Sequence, residues 1–154
     1  MTKKQKITVE LLQAYLSQIE KSLLHLEYSE EQCKKIQLKP ELSNEDLAAF
    51  ESLTSRFART VDIYTQKVLK SIVHILQEDL PTFPDKMNFC EKINAISSAN
   101  DLATLRGLRN SIAHEYEEAQ LSELFAEVLQ KIPTLKSSYQ LTRDYIQNKI
   151  LSNA

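Results

Sequence analysis

The sequence predicts an all-α protein, an antiparallel four-helix up-and-down bundle with one short additional helix. Three observations lead there. A sheet protein needs turn residues about every 8–12 positions, and this chain of 154 residues has one glycine and four prolines. Apolar residues recur at spacings of three and four through long stretches, which places them on one helical face. The stretches between these patterns are short, as antiparallel helix neighbours require. The length is that of one domain, read as residues 1–154 with a frayed basic N-terminus over about 1–7.

The first helix is expected from about Thr8 to Leu38. Leu12, Tyr15, Ile19, Leu23 and Leu26 share a face, Cys33 continues it, and Pro40 lies just beyond the end. The second begins at Ser43, an N-cap, with Glu45 and Asp46 in the first turn where the helix dipole favours acids. Leu47, Phe50, Leu53, Phe57, Val61, Tyr64, Val68, Ile72 and Ile75 carry it forward, and Pro81-Thr-Phe-Pro84 stops it. A short third helix covers about Asp85 to Ile96. Ser98 and Asn100 are both suitable caps for a fourth, from about Asp101 to Tyr116. The last starts near Leu121 or Ser122. Its stripe of Leu124, Val128, Ile132, Leu135, Tyr139 and Ile146 keeps phase across Pro133, so a kink is expected there rather than a break. The tail 151–154 is expected to fray.

Hydrophobic residues make up 42% of the chain, enough for one core. No run approaches the ~20 apolar residues of a membrane span. The basic start Met1 to Lys6 leads into Ile-Thr-Val-Glu, not into the apolar run of a signal peptide. A cytoplasmic location and no membrane partner are therefore expected. The net charge of -2 provides no broad basic field, so any RNA contact must be local. Cys33 and Cys90 have no metal-like spacing and read as reduced, buried thiols. His25 and His74 have no partners at useful spacing, and no Glu-x-x-His pair occurs, so neither metal nor cofactor is expected. Arg56 and Arg59 read as a solvated face with Asp62, three residues from Arg59; the alternative is an RNA-phosphate contact.

The informative stretch is Leu105-Arg-Gly-Leu-Arg-Asn-Ser-Ile-Ala-His-Glu-Tyr116. On a helix, Leu105, Leu108 and Ile112 fall within a ~60° arc and form the core face. Arg109 and Tyr116 lie on one line. Asn110 and His114 lie on another, displaced away from the core, with Arg106 between the two. Gly107, the single glycine, costs about 1 kcal/mol in a helix interior. Beside the polar cluster it suggests a surface where another helix or a ligand comes close; the alternative is a tolerated surface glycine.

Arg109, four residues, His114, one residue and Tyr116 resembles the Arg-x4-6-His signature of HEPN domains, in the form with a trailing Tyr found in HepT-type ribonuclease toxins. Asn110 matches the polar residue that often follows that Arg. A looser likeness spans 47–146, including Ser55-Arg-Phe57 and the helix order. The resemblance implies a HEPN-like antiparallel bundle that forms a homodimer, with the signature helices of two subunits facing one cleft. It implies a metal-independent endoribonuclease, with tRNA as the family-level expectation for its RNA substrate. His114 would move protons and Arg109 would clamp phosphate; these are the catalytic pair. Asn110 and Arg106 would support or bind phosphate. The family is paired with a nucleotidyltransferase antitoxin of the MntA type, which adds AMP to the motif Tyr; that makes Tyr116 the modified residue.

Plainer readings compete with each role. His114 could be a helix-end cap, Arg109 could pair with a glutamate, and Tyr116 could be a core-edge aromatic. The competing function is a non-catalytic HEPN partner that helps a nucleotidyltransferase recognise its substrate.

Overall fold

Among the described residues every regular element is helical. The computed structural model describes residues 1–76, 78–114 and 116–153, and of 118 and 119 the backbone alone. Helix α1 spans Lys3–Lys34. It starts five residues earlier than the apolar stripe suggests, because Thr2 and Gln5 form a capping box: Gln5 N–H donates to Thr2 Oγ1 at 3.1 Å and Thr2 N–H to Gln5 Oε1 at 2.8 Å. The segment expected to fray is thus largely a first helical turn. Gln5 Nε2 also reaches the carbonyl of Ile75 at 2.9 Å. The helix ends at Lys34, short of Leu38, where Ile36 N–H bonds the Cys33 carbonyl at 3.0 Å in a tightened last turn.

Ser43 caps α2 (Asn44–Ile63) by accepting from Asp46 N–H. A π-helical segment, Tyr64–Leu69, and α3, Lys70–Ile75, follow directly. The expected second helix is therefore one rod over 44–75 that changes winding midway. Thr82 caps α4 (Phe83–Lys92), with Pro84 in its first turn. This helix stops before Ile96 because Asn94 turns left-handed, φ 64°, a conformation Asn tolerates. Ser98, rather than Asn100, caps α5 (Ala99–Ile112). Helix α6 (Glu118–Tyr145) runs through Pro133 as one element, then passes into a π segment, Ile146–Ile150, and a 3-10 turn, Leu151–Asn153. The tail expected to fray continues the helix as far as it is described.

Helix α1 runs back along α2. Cys33 meets the Ala49 carbonyl, Ser29 meets Arg56, Ser22 meets Thr60, and Gln18 meets Lys67. Helix α6 lies on α2 in the same direction as α2, for Phe50 stacks on Phe125 at 4.8 Å and Tyr64 meets Tyr139 edge-on at 5.8 Å. Helix α5 contributes Leu102, Leu105 and Leu108 to the same core. Cys33 and Cys90 are buried free thiols, as expected.

A chain of hydroxyls links α6 to the 44–75 rod in the interior. Tyr64 Oη lies 2.8 Å from Ser138 Oγ and 2.7 Å from Thr142 Oγ1, and Thr142 Oγ1 lies 2.7 Å from the Ala95 carbonyl. A carbonyl only accepts, so Thr142 donates its proton there and accepts from Tyr64. Ser138 then donates to the Tyr64 oxygen. Burial pushes the Tyr64 phenol well above its usual range, keeping it neutral.

Candidate functional site

Helix α5 ends earlier than its sequence suggests, and this reorganises the signature. Ala113 N–H bonds the Asn110 carbonyl at 3.2 Å and His114 N–H the Ser111 carbonyl at 3.1 Å. Such i→i−3 bonds tighten and close a last turn. His114 and Tyr116 therefore lie beyond the helix, and the shared lines of Asn110 with His114 and of Arg109 with Tyr116 do not exist. Glu115 lies outside the described residues.

His114 is exposed, and Tyr116 is half-buried against the core. Asn110 is exposed. Arg106 leans on α4, its guanidinium carbon 4.3 Å from the centre of the Phe83 ring, a cation–π contact. No side-chain hydrogen bond joins Arg109, Asn110, His114 and Tyr116 to one another among the described residues. Gly107 is exposed, and a Cβ there would meet nothing within 4 Å. Within the chain nothing makes use of its bare backbone.

Arg109 turns toward α2. Its Nε donates to Asp62 Oδ1 at 2.7 Å and its Nη2 to Asp62 Oδ2 at 2.9 Å. This is a fork-to-fork pair, which holds a guanidinium in a fixed plane. Donating these hydrogen bonds to Asp62 pushes the arginine pKa further up, so the charge is permanent. Asp62 therefore partners Arg109 and not Arg59. Nor does Arg56 belong to a solvated face with them: its Nη1 donates to Ser29 Oγ at 2.7 Å and to the His25 carbonyl at 3.2 Å, bracing α1 on α2.

The pair sits in an open groove of about 590 Å³ across the outer face of α2. Ser55, Ala58, Arg59 and Asp62 form the floor, Gln18 and Lys67 one end, and Arg109 and Ile112 a wall. Three cations and one acid line it. His114 lies two residues beyond Ile112 and outside the lining. Sequence reasoning missed Asp62 as the partner of Arg109, since nothing local links positions 47 apart. The groove floor did leave a signal: Ser55, Arg59, Asp62 and Gln66 are polar at spacings of four, three and four, the outer stripe of one helix.

Bidentate pairing with Asp62 uses the Nε and Nη2 edge of Arg109. A guanidinium has five N–H donors, so its Nη1 and Nη2 edge stays available for an oxyanion. An exposed imidazole and a phenol follow within the next seven residues of chain. Chemically the region can bind a phosphate and offer a proton donor or acceptor near neutral pH. Comparison with known proteins finds no family model, no curated protein and no solved structure that matches this chain.

Proposed function

We propose that this chain is a metal-independent endoribonuclease of the HepT-like toxin type, acting in the cytoplasm as a homodimer. In this reading the helices form a HEPN-like four-helix up-and-down bundle, and the ends of two α5 helices share one cleft. The observation that carries the reading is the Arg109-x4-His114-x-Tyr116 set at the end of α5, with a guanidinium already oriented beside an open, cation-lined groove.

The chemistry follows from those groups. One His114 takes the proton from a ribose 2′-hydroxyl, whose oxygen attacks the adjacent phosphorus. The bond from phosphorus to the 5′-oxygen breaks, and the partner's His114 returns a proton to that oxygen. Arg109 meets the charge that builds on the phosphoryl oxygens. Asn110 and Arg106, both exposed, support phosphate binding. Tyr116 is the residue that a nucleotidyltransferase antitoxin modifies with AMP, and the anionic adduct repels substrate from the cleft.

A second reading has its own observation. Arg109 and Asp62 satisfy each other, as a purely structural pair would, and the chain then serves as a non-catalytic partner subunit of a nucleotidyltransferase. The test is direct. Purified protein with a chelator present should cut RNA, and His114→Ala and Arg109→Ala should abolish both cutting and growth arrest. Co-expression with a neighbouring nucleotidyltransferase should add mass in AMP-sized steps, lost in Tyr116→Phe. RNA that survives wild type and variants alike decides for the partner subunit.

A further inference from the structure

We propose that the groove across α2 is a track for the phosphodiester backbone of single-stranded RNA, gripped by Arg59, Lys67 and the open edge of Arg109. This rests on the ribonuclease reading and names where its substrate lies.

Charge is the first argument. The chain as a whole carries -2, yet the groove collects Arg59, Lys67 and Arg109 against Asp62 alone. Asp62 is already neutralised by its two hydrogen bonds to Arg109. Arg59 is exposed and makes no ion pair or side-chain hydrogen bond among the described residues. Among the described residues Lys67 makes no ion pair; its side chain lies 5.5 Å from the centre of the Tyr15 ring and 3.5 Å from Gln18 Oε1. Two uncompensated cations therefore flank an arginine with a spare edge.

Geometry is the second. Arg59 and Lys67 are eight residues apart on a continuous rod, about 12 Å at ~1.5 Å per residue. That spans a short run of phosphates rather than one. A trough of about 590 Å³ admits one strand and not a duplex. Ser55 and Gln66 supply neutral hydrogen-bonding groups along it, as backbone-tracking grooves do. One wall of the groove is Ile112, two residues before His114 in the chain.

A second copy of the chain is the other candidate occupant. It would bring the same cations to the same place. Charge complementarity favours the polyanion.

The test uses the full chain carrying His114→Ala, so that RNA is bound and not cut, and a short fluorescent single-stranded RNA of mixed sequence. Adding Arg59→Gln and Lys67→Gln should weaken binding at least tenfold. It should also flatten the plot of log affinity against log salt by about 1.4, from ~0.7 per lost phosphate contact on a single strand. In the cutting-competent chain the same pair should raise KM and leave kcat within twofold. Both side chains are exposed, so an unchanged thermal melt is expected and checks the fold. An unaltered affinity and salt slope overturns the track. So does conversion of a dimer to a monomer by Arg59→Gln and Lys67→Gln, which gives the groove to a second copy. RNA that binds with the full slope but is never cut by wild type supports the track and removes the nuclease; RNA that is cut with an unaltered slope does the reverse.

Discussion

Around Tyr64 the protons run in one direction through the buried interior, Ser138 to Tyr64 to Thr142 to the Ala95 carbonyl, and no buried side-chain polar atom is left without a partner among the described residues. At the end of α5 the polar groups are nearly strangers: Arg109 faces Asp62, Arg106 lies on Phe83, and His114 meets solvent. The first region is a network that specifies how α6 sits on the 44–75 rod. The second is a set of separate groups that only a substrate or a second chain could unite. On the proposed reading, stability and chemistry are kept at different depths of one structure. A change in the first region should be felt everywhere and a change in the second almost nowhere except in function.

The largest effect should come from emptying the inner region. Tyr64 is fully buried, and Tyr64→Ala removes a ring and leaves Ser138 Oγ without its partner, while Thr142 keeps the Ala95 carbonyl. Truncations of large core aromatics cost about 3–5 kcal/mol, so denaturant unfolding should register a loss of that size. Tyr64→Phe keeps the ring and removes only the hydrogen bonds, at about 1–2 kcal/mol. If both variants cost the same, the network rather than the packing dominates there.

The inner thiols should respond to alkali next. Burial pushes Cys33 up to about 11 and Cys90 up to about 12, from an ordinary 9.0. A raised pKa in the fold means the native state holds its proton more tightly than the unfolded chain does. The contribution is fully present below pH 9 and is lost as pH rises from there through 11 and 12. The slope is at most ~1.4 kcal/mol per pH unit for each thiol. Urea midpoints between pH 8 and 10.5 should fall, and fall less steeply in Cys90→Ala.

How far each region could be read in advance also differs. The cap at Ser43 and the buried cysteines are local, and spacing alone finds them, whereas for α5 it left Ser98 and Asn100 open and the structure chose Ser98. Thr2-x-x-Gln5 was equally local, but the polar face around it obscured the first turn of α1. Helix continuity through Pro133 followed from an apolar stripe that never loses phase. The end of α5 was not legible, because Ala113, His114, Glu115 and Tyr116 include no glycine or proline, and the stop is made by two short backbone bonds. Nor were the pairings Arg109 with Asp62 and Tyr64 with Ser138, which join positions far apart in the chain. Periodicity reports which face a residue is on; it does not report which helix that face will meet. The change to π winding at Tyr64–Leu69 left no mark in the pattern that we can identify.

Gly107 tests whether the outer region is complete within one chain. It sits inside α5 with open space around the missing Cβ. Gly107→Ala should therefore stabilise the protein by about 1 kcal/mol, a rise in melting temperature of roughly 2–4 °C for a chain this long. A rise in melting with unchanged self-association makes Gly107 a tolerated surface glycine. A variant that associates less well, by sedimentation, marks the spot where a second chain comes close to bare backbone.

The smallest effect belongs to Asp62→Asn. The Arg109 and Asp62 side chains remain 30% and 33% exposed, so water screens their attraction and such a pair adds about 0.5 kcal/mol or less. Asn keeps the shape and can still accept one hydrogen bond from Arg109, so the melt should barely move. The guanidinium, however, loses its second anchor and its fixed plane. If the outer region is a phosphate clamp, RNA cutting by Asp62→Asn should drop about tenfold, a cost out of proportion to the loss of stability. If cutting and stability shift together by the same small factor, the pair merely ties α5 to α2, and the contrast between inner scaffold and outer chemistry does not extend to Arg109.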